Sequence, residues 1–334
     1  MTELTFQSVL ETLLDPKRDV PQAHLQYYSD LDPKSMRLFL DVWKNVPAKR
    51  KTLLLDKLTA YLDEDTIVSF EDIGKVLLDD PEAEVRARAL GLLGESDDPK
   101  LADKFIEIFQ ADTDLAPRLK AANLLGEFVL LGELEELDEK RLHKIEEALI
   151  SVIRSDENPA LRRAAVEAFG YSGREDAVAI IESAFEREDP LWISSTLRAM
   201  GRSHDNRWDE SVVSKLLDPD PRVRYAAAEA AGELSIEEAG PVLLKMLEDE
   251  EEDDNVTMAA IWALSQIGGE DARAYILNML DNTDENDVAE FLEDALENLD
   301  FNEELNRFDM MSLDEEDDLN EFDEDEVEDE EDER

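Results

Sequence analysis

Between Asp218 and Leu234 the chain reads DPDPRVRYAAAEAAGEL. Val223, Ala226, Ala227, Ala230, Ala231 and Leu234 fall on one stripe of a helix, while Arg224, Glu229 and Glu233 lie off it. Asp220 is the expected N-cap, with Pro221 at the first helical position, where its missing N–H costs nothing. Gly232 marks the place where this helix should stop or turn. The stripe is nearly all alanine. Ala227 should therefore sit where two helices approach closely, and off-stripe Ala228 should tolerate a larger polar side chain.

The same pattern returns along the chain. Aligned on the closing glycine, it appears as DDPEAEVRARALGLLG (79–94), TDLAPRLKAANLLG (113–126), DENPALRRAAVEAFG (156–170), EDPLWISSTLRAMG (188–201), the stretch above, and DDNVTMAAIWALSQIG (253–268). Five residues before the glycine stand Ala89, Ala121, Ala165, Thr196, Ala227 and Ala263, all small. One residue before it stand Leu93, Leu125, Phe169, Met200, Ala231 and Ile267, all apolar. A sequence period in this range predicts a stacked array rather than a single globule.

A second amphipathic run follows most of the glycines: PKLADKFIEIFQ (99–110), EDAVAIIESAFER (175–187), DESVVSKLLD (209–218), EEAGPVLLKMLED (237–249) and EDARAYILNMLD (270–281). These runs carry the bulk that the first helices lack, in Phe105, Ile108, Phe109, Ile181, Phe185, Leu247 and Leu280. The repeat thus reads as one small-faced helix and one bulky helix. Neither buries enough alone, and stacking supplies the core.

The form D-P-x-x-x-V-R-x-x-A-x-x-A-x-G, seen in DPDPRVRYAAAEAAG and less fully in DPEAEVRARALGLLG, resembles the HEAT repeats of the phycobilisome-lyase-like class. The resemblance implies an all-α superhelix, a solenoid of the HEAT/armadillo type, with repeats over residues 79–301. Residues 1–78 then read as degenerate helical hairpins capping the stack, from FQSVLETLL through MRLFLDVWKNV and RKTLLLDKLTAYL to FEDIGKVLLDD. The class includes scaffolds, bilin lyases and an iron hydroxylase, so fold alone does not choose a function.

Charge narrows the partners. Across 334 residues, 87 acids against 34 lysines and arginines leave a net charge of −53. Such a charge argues against nucleic-acid phosphate or an anionic membrane as partner, and towards a basic partner or simply towards solubility. Cysteine is absent, which removes disulfides, thiolate metal sites and cysteine nucleophiles and fits a reducing, cytoplasmic setting. The start, MTELTFQSVL, lacks the basic region and apolar core of a signal peptide, and no apolar run is long enough to span a membrane.

Candidate chemistry is sparse. The hydroxylases of this class hold two irons with His-Glu pairs, whereas His24, His143 and His204 are followed by Leu25, Lys144 and Asp205. A diiron site is not expected, and the histidines read as surface or turn residues. No phosphate-binding glycine loop, nucleophile elbow or calcium loop is present, so no catalytic residue, metal or cofactor is expected. A bilin lyase or chaperone remains the alternative, and would need a cavity lined by Trp192, Trp208 and Tyr171. The preferred reading of the same aromatics is packing between repeats. Arg86, Arg118, Arg162 and Arg224 recur eight residues before the glycine, with breaks at Ile193 and Ala260. They read as bonding carboxylates or helix ends of adjacent repeats, the alternative being a strip for an acidic peptide. The segment GELEELDEKRLHKIEE (132–147) lengthens one repeat, as an extended loop and second helix.

Residues 314–333 hold 16 acids in 20 positions, which predicts a disordered tail over 302–334. Phe308 and Phe322 punctuate it. With Trp192 and Trp208 they are the candidate partner contacts. The function expected is a non-enzymatic protein-binding scaffold, adaptor or assembly factor, with a tail that is either a solubilising brush or a ligand for a basic surface. The oligomeric state is open.

Overall fold

The computed structural model describes residues 4–249 and 251–305. Helices make up the regular structure, and no strand occurs among the described residues. The fold is the expected all-α stack. The chain forms two compact units that divide between Ile180 and Ile181.

The first unit opens with α1 (Phe6–Leu14), a short 3-10 helix (Gln22–Tyr28) and α2 (Pro33–Trp43). Paired helices follow: α3 (Ala48–Glu64) and α4 (Glu71–Leu77), α5 (Ala83–Gly91) and α6 (Leu101–Ala111), α7 (Leu115–Glu133) and α8 (Glu139–Ile153), then α9 (Pro159–Phe169). The division falls within α10 (Ala177–Phe185). First helices stack in order, α3 on α5, α5 on α7 and α7 on α9. Second helices α4, α6 and α8 pack against the first helix of the following pair. Large apolar side chains fill the space between, with Phe105, Phe109, Phe128 and Phe169 fully buried and Phe105 meeting Phe128 edge-on at 5.6 Å.

The second unit continues with α11 (Pro190–Arg202), a 3-10 turn (Asn206–Trp208) running into α12 (Asp209–Val213), and α13 (Pro221–Glu233). A further 3-10 turn (Glu237–Ala239) leads into α14 (Gly240–Met246), followed by α15 (Asp254–Ile267) and α16 (Glu270–Asn282). Residues 286–305 form a last helix, α17. It is tied to α15 and α16: the Asn298 amide donates to Ser265 Oγ at 2.9 Å, and Arg273 pairs with Asp300 at 2.6 Å and Glu303 at 2.8 Å. The helix therefore runs through residues 302–305. The remainder of the acidic segment, with Phe308 and Phe322, lies outside the described residues.

All six small positions are buried, from Ala89 to Ala263. The expectation for Ala228 is corrected: it is as fully buried as Ala226 and Ala227. The reason is that α13 has first helices on both flanks, α11 and α15, with α12 against it as well. A helix held on three sides has no free alanine face. The alanines are thus explained by neighbours that leave no room for more.

Gly201 and Gly232 stand one residue from the ends of their helices, near where a stop was expected, but the glycines also have a second role. Gly126, Gly201 and Gly232 lie inside helices α7, α11 and α13, which run on to Glu133, Arg202 and Glu233. What each supplies is closeness to the next first helix. A Cβ at Gly232 would lie 2.9 Å from the Ala263 Cα, one at Gly201 would lie 3.1 Å from the Ala230 Cα, and one at Gly126 would lie 3.0 Å from the Ala168 Cα. The helices instead end where Glu135, His204 and Ser235 adopt positive φ of 63°, 48° and 51°. Gly170 and Gly268 do close helices, as the C-caps of α9 and α15, Gly268 at φ 81°.

Candidate partner-binding surface

The fourth residue of each first helix faces the loop that leads into the next one. At this place stand Lys51 in α3, Arg86 in α5, Arg118 in α7, Arg162 in α9 and Arg224 in α13. Arg86 makes two bonds to Asp112, 2.7 Å from Nε and 2.6 Å from Nη2, and reaches Asp114 at 3.3 Å. It also donates to the Asp80 and Pro81 carbonyls. Arg118 grips Glu157 at 3.0 and 3.2 Å and the Phe109 carbonyl at 2.8 Å. Arg162 donates to the Ile153 carbonyl at 3.0 Å. Arg224 bonds both oxygens of Glu252 and the carbonyls of Asp218 and Pro219. These are internal cross-ties between neighbouring repeats, as the structural reading of the arginines expected, in the bidentate geometry that suits a planar guanidinium.

Lys51 is a rung that the glycine alignment missed, because α3 carries no closing glycine. Its ammonium lies 3.3 Å from Asp80 and 3.1 Å from Glu82, and the Trp43 indole donates to the same Asp80 carboxylate at 2.8 Å. The signal in the sequence was the acid-x-acid step that precedes α5 as it does α7 and α13: Asp80 and Glu82, Asp112 and Asp114, Asp218 and Asp220. The electrostatics agree with the geometry. Hydrogen bonding to Arg86 holds Asp112 below the usual carboxylate range, and Arg118 does the same for Glu157. Burial pushes the Glu146 carboxyl upward, against the pull of the Ser172 hydroxyl and of Arg174.

At α11 the fourth residue is Ile193, and the junction is open. A cavity of about 650 Å³ also lies along α14, lined by Lys245, Glu248 and Gly268 among others. The cavity at Ile193 has about 590 Å³ and is lined by Glu188, Pro190, Lys215, Asp218 and Pro221 with Ile193 itself.

Trp192 and Trp208, candidates for partner contact, are 6% and 5% exposed. Trp192 sits in α11 under the guanidinium of Arg187, 3.9 Å from the ring centroid, and Trp208 ends the 3-10 turn before α12. Both rings are packed, and neither lines the two cavities just described. Tyr171, in the first unit, packs against the core there. His24 lies in the first 3-10 helix, His143 on α8 beside Arg174, and His204 at the positive-φ turn. Among the described residues no cluster of His, Asp and Glu could hold a metal, and no helix is long and apolar enough to cross a membrane.

Two overlapping stretches, residues 146–217 and 210–297, match the family model of HEAT repeats. The chain carries HEAT repeats over these residues. No curated protein matches it. Among solved structures this HEAT-repeat chain is similar to the complex of CpcE and CpcF of phycocyanin lyase from Nostoc sp. PCC7120, at 19% identity over 69% of this chain and 94% of that one, with a TM-score of 0.47. It is also similar to human deoxyhypusine hydroxylase (17% identity, 78% and 95% covered, TM-score 0.34). A third likeness is to Kap121p bound to Nup53p (15% identity, 89% of this chain and 38% of that one, TM-score 0.43). At these levels none of the three assigns an activity to the HEAT-repeat protein.

Proposed function

We propose that this HEAT-repeat protein is a non-enzymatic binding scaffold, adaptor or assembly factor whose partner is a protein with a basic surface. The observation that carries the reading is how the charge is used. The recurring arginines are spent inside the molecule, each tying one repeat to the next. What remains outward is acidic, out of a net charge of −53. A field of that size steers cationic partners and raises their association rate, an effect that fades with salt. Stacked repeats supply an extended surface for such a partner.

The test is a binding titration of the full chain with a polylysine peptide and with a polyglutamate peptide, across a salt series. Saturable binding of the first only, with an association rate that falls as salt rises, supports the reading. No binding of the cationic peptide at low salt overturns it. A chain that instead takes up a free tetrapyrrole, seen by its absorbance, would belong with the lyases.

A further inference from the structure

We infer that the open junction between α11 and α13 is a socket for an arginine side chain of the partner. The inference rests on the basic-partner reading and gives it a place. The loops before α5, α7 and α13 each present an acid, one intervening residue, and a second acid at the N-cap: Asp80 and Glu82, Asp112 and Asp114, Asp218 and Asp220. In the first two the pair receives a cation from the fourth residue of the preceding first helix, Lys51 or Arg86. At the third that residue is Ile193, which carries no charge and is nearly buried.

The acids at the third junction are turned to other tasks. Asp220 caps its own helix at the Arg222 N–H and pairs with the Arg222 guanidinium. Glu82 and Asp114, at the same position, leave their helix N–H groups uncapped by side chain. Asp218 is met by Lys215 at 3.4 Å, a looser contact than the 2.6 and 2.7 Å bonds from Arg86 to Asp112. Beside it lies the cavity of about 590 Å³, with Glu188 on the opposite loop. Pro190, Ile193 and Pro221 form apolar walls, which suit the aliphatic stem and flat faces of arginine. An incoming guanidinium would take the place that Arg86 holds at its own junction, with Lys215 swinging outward. Lysine, with one compact charge, would gain less from the site.

Fluorescence anisotropy with labelled hexa-arginine and hexa-lysine peptides, on the full chain, tests this. The decisive variant is Ile193→Arg, which should fill the socket from within. Ile67→Arg, at a fully exposed site in the first unit, adds the same charge elsewhere. Ile193→Arg should weaken arginine-peptide binding about tenfold and remove the preference over lysine, whereas Ile67→Arg should change affinity less than about twofold. Asp218→Asn should weaken the arginine peptide in the same direction, which keeps the test intact should Ile193→Arg fold poorly by circular dichroism. Equal effects of Ile193→Arg and Ile67→Arg, with wild-type binding intact, overturn the socket and leave the basic-partner reading standing. Absence of wild-type binding to both peptides at low salt overturns both.

Discussion

The junction at Asp112 and the junction at Asp218 share a spacing and differ in the residue that the preceding first helix presents to them. At the first, Arg86 makes two bonds to Asp112 beside a cavity of about 390 Å³; at the second, Ile193 supplies no cation and the cavity is about 590 Å³. The difference teaches that a cross-tie is not needed everywhere for repeats to stack. On either side of the open junction, α11 and α13 pack directly, with Gly201 against Ala230. Small residues do there what an ion pair helps to do elsewhere. A repeat protein can then free one polar slot for a partner without losing the stack.

The largest expected effect comes from breaking the closed junction. Arg86→Met strands a largely buried Asp112 and should cost about 3 kcal/mol in urea unfolding of the first unit. A loss below about 0.5 kcal/mol would mean that the closed and open junctions are energetically alike. Next comes the packing beside the open one. Ala227→Leu and Ala228→Leu should each cost roughly 1–3 kcal/mol by overpacking, because both side chains are fully buried. A tolerated Ala228→Leu would show slack in α13 that its burial denies.

Smaller and of opposite sign, Ile193→Arg should stabilise by about 0.5–1 kcal/mol, and the gain should vanish in an Asp218→Asn background. An unchanged gain in the double variant would place the new arginine on other acids. The smallest effect is a pH slope. Asp112 titrates below its ordinary 3.8 because Arg86 favours its charged form. Its contribution is therefore whole above that ordinary value and is lost as pH falls through the depressed one. The stability gap between wild type and Asp112→Asn should narrow on acidification from neutral to about pH 3.

Much of the fold could be read from the sequence, because buried stripes repeat with helical spacing. The helices from α5 to α16 lie where the glycine-aligned pattern and its second runs put them. What the pattern hid is two-sidedness. Ala228 looked free because a stripe describes one neighbour, and α13 has several. The glycines looked like helix ends because C-terminal glycine is common there, whereas Gly126, Gly201 and Gly232 are contact points between helices. Lys51 escaped because its helix lacks the landmark used for alignment. Trp192 and Trp208 were candidates by type alone, and their packing depends on neighbours that no single segment reveals. The open junction was visible as a break at Ile193, but its cavity and its loosely held Asp218 required coordinates.

The bends at Glu135, His204 and Ser235 have a consequence for engineering. Each is a non-glycine residue in the left-handed region, three positions after a glycine placed where helices touch (Gly132, Gly201 and Gly232). The chain carries its flexible residue at the contact and lets an ordinary one take the strained turn. Replacing Ser235 or His204 by glycine relieves that strain without adding a side chain. These turns join a first helix to its second, at the other end of the pair from the acidic loops. A hardened version of the molecule could thus be built at the turns while every rung, and the one open slot, keeps its native residues.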